Sequence, residues 1–549
     1  MAKTSQKTPG TNLQTLEIVN FGGRLTRAKN GTLDSGFAKF STSFGYDPFT
    51  KPGQLTWLEA PVDISGSTIT DLIVAAKPRF EPASSALFIY ALGSGKRLYK
   101  IQPNSISNPN LDTPSLIGTL VNGSANFGAS MEFYGATEKI YIGLDDRVTS
   151  INFDGSGEAT VGVAGDYVAG RYRPVIQFIG KVIFGNGNNI GAIDSTGTVI
   201  SSIVSGQYQQ LSPSLPPETN VTDLDVSPDG NYLYITTSGT QNENIATISS
   251  DRQAAAAGIG NIFQWNGIDA GITAAKTIPS YAVTALQTYL DNNNFFSNDS
   301  FGASLSNGSA KIVSLPNNKS PFANATLVNG NFISWIAPEI TPDGTGMVGS
   351  MYYYGQLDEQ GQKGLYRMLR YSTTLSNGFV YQTPINLLTN NHYSTVNNAI
   401  TSVVTLGYGK HYFSVFDTNN STNKYTLQRF LVTPTGSGTP QAGVYETQNQ
   451  LFSKRISLSS IRVYTEPTAT GNGFQLDIIG SDGNVVTNGT FNYTYSAGTD
   501  VTLLQGALER INFNTNVKNL YSFGVRITNT GSTNMTINKI EVDWEQSGK

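Results

Sequence analysis

Apolar residues in this chain fall in short runs, broken by Gly, Asn, Asp or Ser. Runs of this kind, rich in Tyr, Phe, Ile and Val, predict strands rather than helices. ALFIYALGSGKRLYKIQ (86–102) reads as a hairpin across Gly93-Ser94-Gly95. MEFYGATEKIYIGLDDRVTSINFDG (131–155) reads as three short strands turning near Ala136 and Asp145. PVIQFIGKVIFGNGNNIGAIDSTGTVIS (174–201) turns at Gly180-Lys181 and across Asn186–Asn189. One phrase recurs: Ser227-Pro228-Asp229-Gly230 precedes NYLYITTSG, and Thr341-Pro342-Asp343-Gly344 precedes TGMVGSMYYYG. Pro presets φ at a corner and Asp-Gly supplies positive φ, so each copy predicts strand, tight turn, strand. Such units from 55 to 440, the last at 399–432, predict an all-β chain whose main body is a β-propeller of six or seven blades. Asp229 and Asp343 are expected in equivalent turns of different blades.

Three stretches differ. Residues 1–54 carry weak signals and predict an N-terminal arm. Residues 251–330 contain AAAAG and then PSYAVTALQTYLDNN. Val283, Leu286 and Leu290 recur there at helical spacing with Ser280 placed as an N-cap. The spacing predicts a helix over 281–291, inside a partly helical insertion. After the Gly-rich linker 435–450, residues 446–549 alternate polar and apolar, as in Ile456, Leu458, Ile461, Val463 and again Phe523, Val525, Ile527. This predicts a separate C-terminal antiparallel β-sandwich of jelly-roll type.

Charge changes the picture little. Charged residues make up 13% of the 549, and the net charge is −4 with Lys and Arg dispersed. No basic stripe points to a sequence-specific nucleic-acid partner. The chain has no Cys, which excludes disulfides, thiolate zinc sites and cysteine nucleophiles. MAKTSQKTPGTNLQ at the start is polar, so no signal peptide is expected. No apolar run approaches the ~20 residues of a spanning helix, so no membrane span is expected either.

Candidate chemistry is sparse. The two histidines, His392 and His411, lie 19 apart in aromatic segments and cannot form an H-E-x-x-H helix. No G-x-S-x-G stands in an elbow context. Asp194-Ser195-Thr196-Gly197-Thr198 only approximates the sialidase box and lacks its Trp. A glycosidase carboxylate pair leaves no local spacing to search for. Asp145-Asp146, Asp154 and Asp482-Gly483 sit at hairpin corners, where Asp is expected for turn reasons rather than as calcium ligands. GNGNN (185–189) opens no helix, which argues against a nucleotide site. Tyr352–Tyr354, Tyr493 and Tyr495 fit half-buried strand positions better than sugar-stacking ones. No catalytic, cofactor-binding or metal residue is therefore assigned, and no cofactor is expected.

The chain as a whole resembles the β-propeller virion proteins of tailed bacteriophages, nearest in layout to tail nozzle or hub subunits of short-tailed phages. The resemblance rests on FGGRLTRAKNGTL (21–33), DPFTKPGQL (47–55), the degenerate hairpin units, and the closing SFGVRITNTGSTNMTINKIEVDWE (522–545). It implies a non-enzymatic structural protein of the virion tail, assembled in the host cytoplasm. Its implied partners are copies of itself in a ring and other tail proteins. A host-surface glycan receptor and a propeller-type carbohydrate-active enzyme are the alternatives.

Overall fold

The computed structural model describes residues within 13–103, 113–201, 215–239, 260–314, 336–386, 399–431, 443–495 and 502–546, with short interruptions. Regular structure is almost wholly strand; Ala164–Asp166 is a 3-10 turn.

Among the described residues, seven four-stranded antiparallel sheets follow one another along the chain. Sheet 1 comprises Ile73–Glu81, Ala86–Gly93, Arg97–Gln102 and Thr113–Thr119. Sheet 2 comprises Ser130–Tyr134, Lys139–Gly143, Val148–Asn152 and Ala159–Val161. Sheet 3 comprises Val175–Phe178, Lys181–Asn186, Asn189–Ile193 and Val199–Ser201. Sheet 4 comprises Thr219–Val226, Leu233–Gly239, Gly260–Trp265 and Ala274–Ile278. Sheet 5 comprises Val283–Tyr289, Asn292–Ser297, Phe301–Ser306 and Ser309–Ser314. Sheet 6 comprises Ile336–Ile340, Met347–Gln356, Lys363–Arg370 and Gln382–Asn386. Sheet 7 takes three strands from the end of this run, Ala399–Leu406, Lys410–Phe416 and Tyr425–Leu431. Its fourth, Val62–Asp63, comes from before sheet 1. The first strand of each sheet adjoins that of the next, and sheet 7 adjoins sheet 1, so the array is a closed, propeller-like ring.

The second strands show why these segments read as continuous apolar runs. In sheets 1 to 4 the second strand is sandwiched between two neighbouring sheets, so both of its faces are buried. Ile140 and Ile142 of sheet 2 pack with Tyr90 and Leu92 of sheet 1. Tyr141, pointing the other way, packs with Val182 and Phe184 of sheet 3. Ile183 of sheet 3 then faces Leu224 and Ile235 of sheet 4. Ile89 and Ala91 of sheet 1 meet Leu427 of sheet 7, which carries the packing around the closure.

The remaining strands form one module. Asn449–Thr465 lies between Thr536–Gln546 and Leu508–Asn514, while Leu13–Ile18 and Leu55–Trp57 line the far side of Thr536–Gln546. A second set runs in the order Phe40–Phe44, Val444–Thr447, Leu520–Asn529, Gly473–Ile479, Val485–Thr494. Ile461, Val463, Ile540 and Val542 from the first set share one core with Leu476, Ile478, Val525 and Ile527 from the second. Ile18, Phe21, Phe40, Tyr46, Leu55, Trp57 and Leu58 belong to the same core.

Two expectations are corrected here. Described residues of the stretch expected to be an N-terminal arm, Leu13–Ile18, Phe21, Phe40–Phe44 and Tyr46, are strand and core of the terminal module, as is Leu55–Trp57, so 446–549 is not a module by itself. The ring is in effect inserted into that module. Leu58 N–H donates to the Gly45 carbonyl at 2.9 Å, and a Cβ on Gly443 would lie 3.2 Å from that same oxygen. The chain thus leaves for the ring and returns from it at one place. The second correction is the helix over 281–291. Val283–Tyr289 is a strand that pairs antiparallel with Asn292–Ser297, Tyr289 opposite Asn292. Val283, Thr284, Thr288 and Tyr289 favour extended backbone, and pairing within sheet 5 outweighs the helical spacing of Leu286 and Leu290. No helix appears among the described residues of 251–330; they complete sheet 4 and build sheet 5.

Strands flank both Pro-Asp-Gly phrases. Thr219–Val226 pairs with Leu233–Gly239, and between them Gly230 (φ +74°) donates its N–H to the Ser227 carbonyl at 2.8 Å. Ile336–Ile340 pairs with Met347–Gln356. Pro228, Asp229 and all of 341–344 lie outside the described residues, as does His392.

Candidate interaction surface

The acids singled out from sequence hold turns. Asp154 Oδ1 accepts from Ser156 N at 2.9 Å and Ser156 Oγ at 2.6 Å. Asp194 Oδ1 accepts from Thr196 N at 2.9 Å and Oγ1 at 2.6 Å, and from Thr198 N at 3.0 Å. These hydrogen bonds hold both carboxyls below their usual range. Asn266 does the same for Ile268 and Asp269 N–H at 3.0 Å. All three head the turn between the third and fourth strands of their sheets, so an Asx turn repeats in sheets 2, 3 and 4. That repeat was legible as Asp154-x-Ser and Asp194-x-Thr. Asp482 closes a similar turn onto Asn484 N at 3.0 Å. His411 lies on a strand of sheet 7, opposite Thr405 and Phe430, and Tyr352–Tyr354 lie within a strand of sheet 6. Tyr493 packs against Phe474, ring centroids 5.6 Å apart. Among the described residues no three His, Asp or Glu gather as a metal would require.

A second repeat, at the opposite ends of the sheets, was missed from sequence. In sheets 1, 2 and 3 the loop before the first strand is pinned to the turn between the second and third strands. In sheet 1, Asp71 accepts from Gly95 N at 2.8 Å and from the Tyr99 hydroxyl. Gly93 must be glycine there, because a Cβ would lie 2.0 Å from Asp71 Oδ2. In sheet 2, Ser124 Oγ donates to Asp145 Oδ2 at 2.8 Å. In sheet 3, Val168 N donates to Asn186 Oδ1 at 2.8 Å, so the GNGNN segment is a structural corner.

Arg173 ties sheets 2 and 3 together. It is wholly buried and donates to Leu144 O (3.1 Å), Gly185 O (3.1 Å), Asn186 Oδ1 (2.6 Å) and Val168 O (2.8 Å). Its guanidinium carbon lies 4.9 Å from the Tyr167 ring centroid. Burial pulls its pKa down to about 10, which leaves it charged at neutral pH. Nothing in GRYRPV (170–175) distinguishes this arginine from a surface one.

The terminal module carries an ordered polar face. Thr15, Asp543 and Ser460 stand in one cross-strand row, Glu17, Glu541 and Arg462 in the next, Lys539, Tyr464 and Arg510 in a third. Arg462 Nη1 and Nη2 donate to Asp543 at 2.5 and 2.8 Å, and its Nε donates to Glu541 at 2.6 Å. Lys539 bridges Glu541 and Glu17, the latter at 3.2 Å. Tyr464 donates to Glu541 at 2.9 Å. Burial works against ionisation of Asp543 and Glu541, yet Arg462, Lys539 and their hydroxyl donors prevail and hold both below the usual carboxylate range. The same sign holds for Glu81 and Asp146: every carboxyl displaced from its ordinary range among the described residues is displaced downward. A general acid working at neutral pH needs the opposite shift. On this face Asp543 and Glu541 are held charged between fixed donors.

The chain matches no protein-family model and no curated protein. Solved structures similar to it are WD40 β-propeller domains. The propeller domain of Doa1 is 12% identical, with a TM-score of 0.40 over 68% of this chain and 97% of that one. The Neurospora crassa Pan2 WD40 domain is 10% identical, with a TM-score of 0.42 over 69% and 96%. A chain of the mitotic checkpoint complex is 11% identical, with a TM-score of 0.39 over 68% and 95%.

Proposed function

We propose that this chain is a non-enzymatic structural component of a tailed-phage virion, a ring-forming subunit of the nozzle or hub type in the tail. Each four-stranded sheet is then one blade of a seven-bladed propeller, and the terminal module is a jelly-roll β-sandwich. The observation that carries the reading is the use made of ordered charge. Arg173, Asp71, Asp145, Arg462 and Asp543 each hydrogen-bond across strands or sheets. A body stiffened in this way suits repeated subunit contacts, which need preformed surfaces. Copies meeting head to tail through different patches close into a ring where the rotation permits.

Mass spectrometry and cryo-electron microscopy of phage particles purified from a lysate carrying the gene test the proposal. The expected result is this chain at a fixed copy number on a symmetric tail ring. Particles that lack the chain refute it. Host-surface glycan recognition is the second reading, favoured by the polar face where Tyr464 and Arg510 stand side by side with Asn512 exposed beyond them. Glycan-array binding that disappears in Tyr464→Ala, with the ring assembly intact, selects it.

A further inference from the structure

The seam between sheets 1 and 2 holds a cluster that neither the turns nor the closure of the ring explains. Lys77, Tyr90 and Lys100 form one cross-strand row of sheet 1, with Arg79 opposite Phe88 in the next. Across the seam, sheet 2 contributes Glu132 and Phe133, and Phe153 follows its third strand. All three cations have an acid within ion-pair range, two of them at hydrogen-bond distance. Lys77 Nζ lies 2.5 Å from Glu132, and Lys100 Nζ lies 2.8 Å from Glu81 and 4.0 Å from the Phe88 ring centroid. Glu81 also accepts from the Tyr90 hydroxyl, so its oxygens are occupied. Arg79 is the third, ion-paired with Glu81 but without a hydrogen bond to it. Its guanidinium carbon sits 3.3 Å from the Phe153 centroid and 5.7 Å from that of Phe133, which fixes the plane of the fork. The nearest Glu81 oxygen is 3.9 Å away, beyond hydrogen-bond distance. Apart from the Tyr90 hydroxyl, no described residue takes a hydrogen bond from Arg79. The side chain remains 25% exposed, beside Lys77 at 37% and Lys100 at 23%.

We propose that this seam is a carboxylate-binding notch, with Arg79 as the bidentate donor and Lys77 and Lys100 as flanking charges. A guanidinium stacked on a ring keeps its N–H edge free, and that edge matches the two oxygens of a carboxylate. The stoichiometry of charge selects a monoanion. Three cations against two carboxylates leave one positive charge, which one carboxylate neutralises. A sulfate or phosphate dianion would add a second negative charge beside Glu81 and Glu132. The carboxylate comes either from a free small acid or from an Asp or Glu side chain of a neighbouring protein.

Saturation-transfer NMR on the full chain tests this with acetate and with N-acetylaspartate amide as probes, at fixed ionic strength. Both probes are expected to receive saturation from the wild type. Arg79→Gln is expected to weaken the response about tenfold, the loss of a bidentate charged hydrogen bond. Lys96→Gln, in the turn at the other end of the sheet, leaves it unchanged. A stronger response from the aspartyl probe marks a notch fitted to an acidic side chain, and an equal response marks one open to free acids; both support the site. Equal saturation in Arg79→Gln and the wild type overturns it. So does sulfate displacing acetate better than added acetate does. Should Arg79→Gln lose its fold, Arg79→Lys replaces it: the charge stays, the fork and the stack go, and undiminished acetate binding overturns the proposal.

Discussion

Excising the ring is the sharpest test of this architecture. Replacing residues 60–441 with a short Gly/Ser linker joins Glu59 to Ala442 without touching a strand of the terminal module. The distance to span is small, because Leu58 and Gly443 both abut Gly45. The joined chain is expected to fold as a cooperative β protein. Residues 446–549 alone are not. They lack Ile18, Phe21, Phe40, Tyr46, Leu55, Trp57 and Leu58, each buried to 4% exposure or less. Burial of a large apolar side chain contributes roughly 1.5–3 kcal/mol, so the loss is on the order of 10–20 kcal/mol. Ordering the N-terminal strands costs entropy that offsets part of this gain. The remainder still rivals the whole net stability of a domain, about 5–15 kcal/mol. Circular dichroism and urea titration of the two proteins decide the matter. Cooperative melting of 446–549 by itself, or failure of the joined chain to fold, refutes the inserted-ring arrangement.

Three further substitutions follow from the geometry. Arg173→Met withdraws the donor from the buried Leu144 and Gly185 carbonyls and from Val168 O, and is expected to cost about 3–5 kcal/mol in urea unfolding, whereas the part-exposed Arg147→Gln costs less than about 1 kcal/mol. Gly93→Ala drives a Cβ into Asp71 and should cost about 1–3 kcal/mol; in Asp71→Ala/Gly93→Ala the combined loss falls short of the sum, because the clash has been removed. Asp543→Asn gives up the Arg462 fork and is expected to lower stability by about 1–2 kcal/mol at pH 7. The pH dependence fixes the sign. Asp543 has a folded pKa below its unfolded value of about 3.9, so its contribution is present above that value and vanishes as pH falls through the folded one. The gap between wild type and Asp543→Asn should therefore narrow as pH falls below about 3.9, and a gap that widens in acid counts against the Arg462 pairing.

What could be read from sequence was what is local. The hairpins of sheets 1 to 3 were legible because burial on both faces writes an apolar run and the turns between are marked by Gly, Asp and Asn. Val283–Tyr289 was misread because three residues at helical spacing are weak evidence beside β-branched composition and partners supplied by later strands. The origin of the fourth strand in sheet 7 was invisible: Val62–Asp63 pairs with Gln428 and Arg429 more than 360 residues on, and no local pattern encodes such a partner. The same holds for Leu13–Ile18, whose register runs from Leu13 opposite Glu545 to Ile18 opposite Ile540. Thr15 and Glu17 only become part of a charged face once that register is set. Nothing about Arg79 or Arg173 in the sequence separates one from the other, yet the fold makes them opposites. Arg173 is surrounded by carbonyls and has every donor engaged, while Arg79 sits over the Phe153 ring, part-exposed, with its nearest carboxylate oxygen 3.9 Å away. An arginine's role here is decided by which sheet seam it enters and by what the facing strand supplies. That difference is set by the fold: the same residue type is closed in by backbone carbonyls at one seam and laid on a ring beside a distant carboxylate at the next.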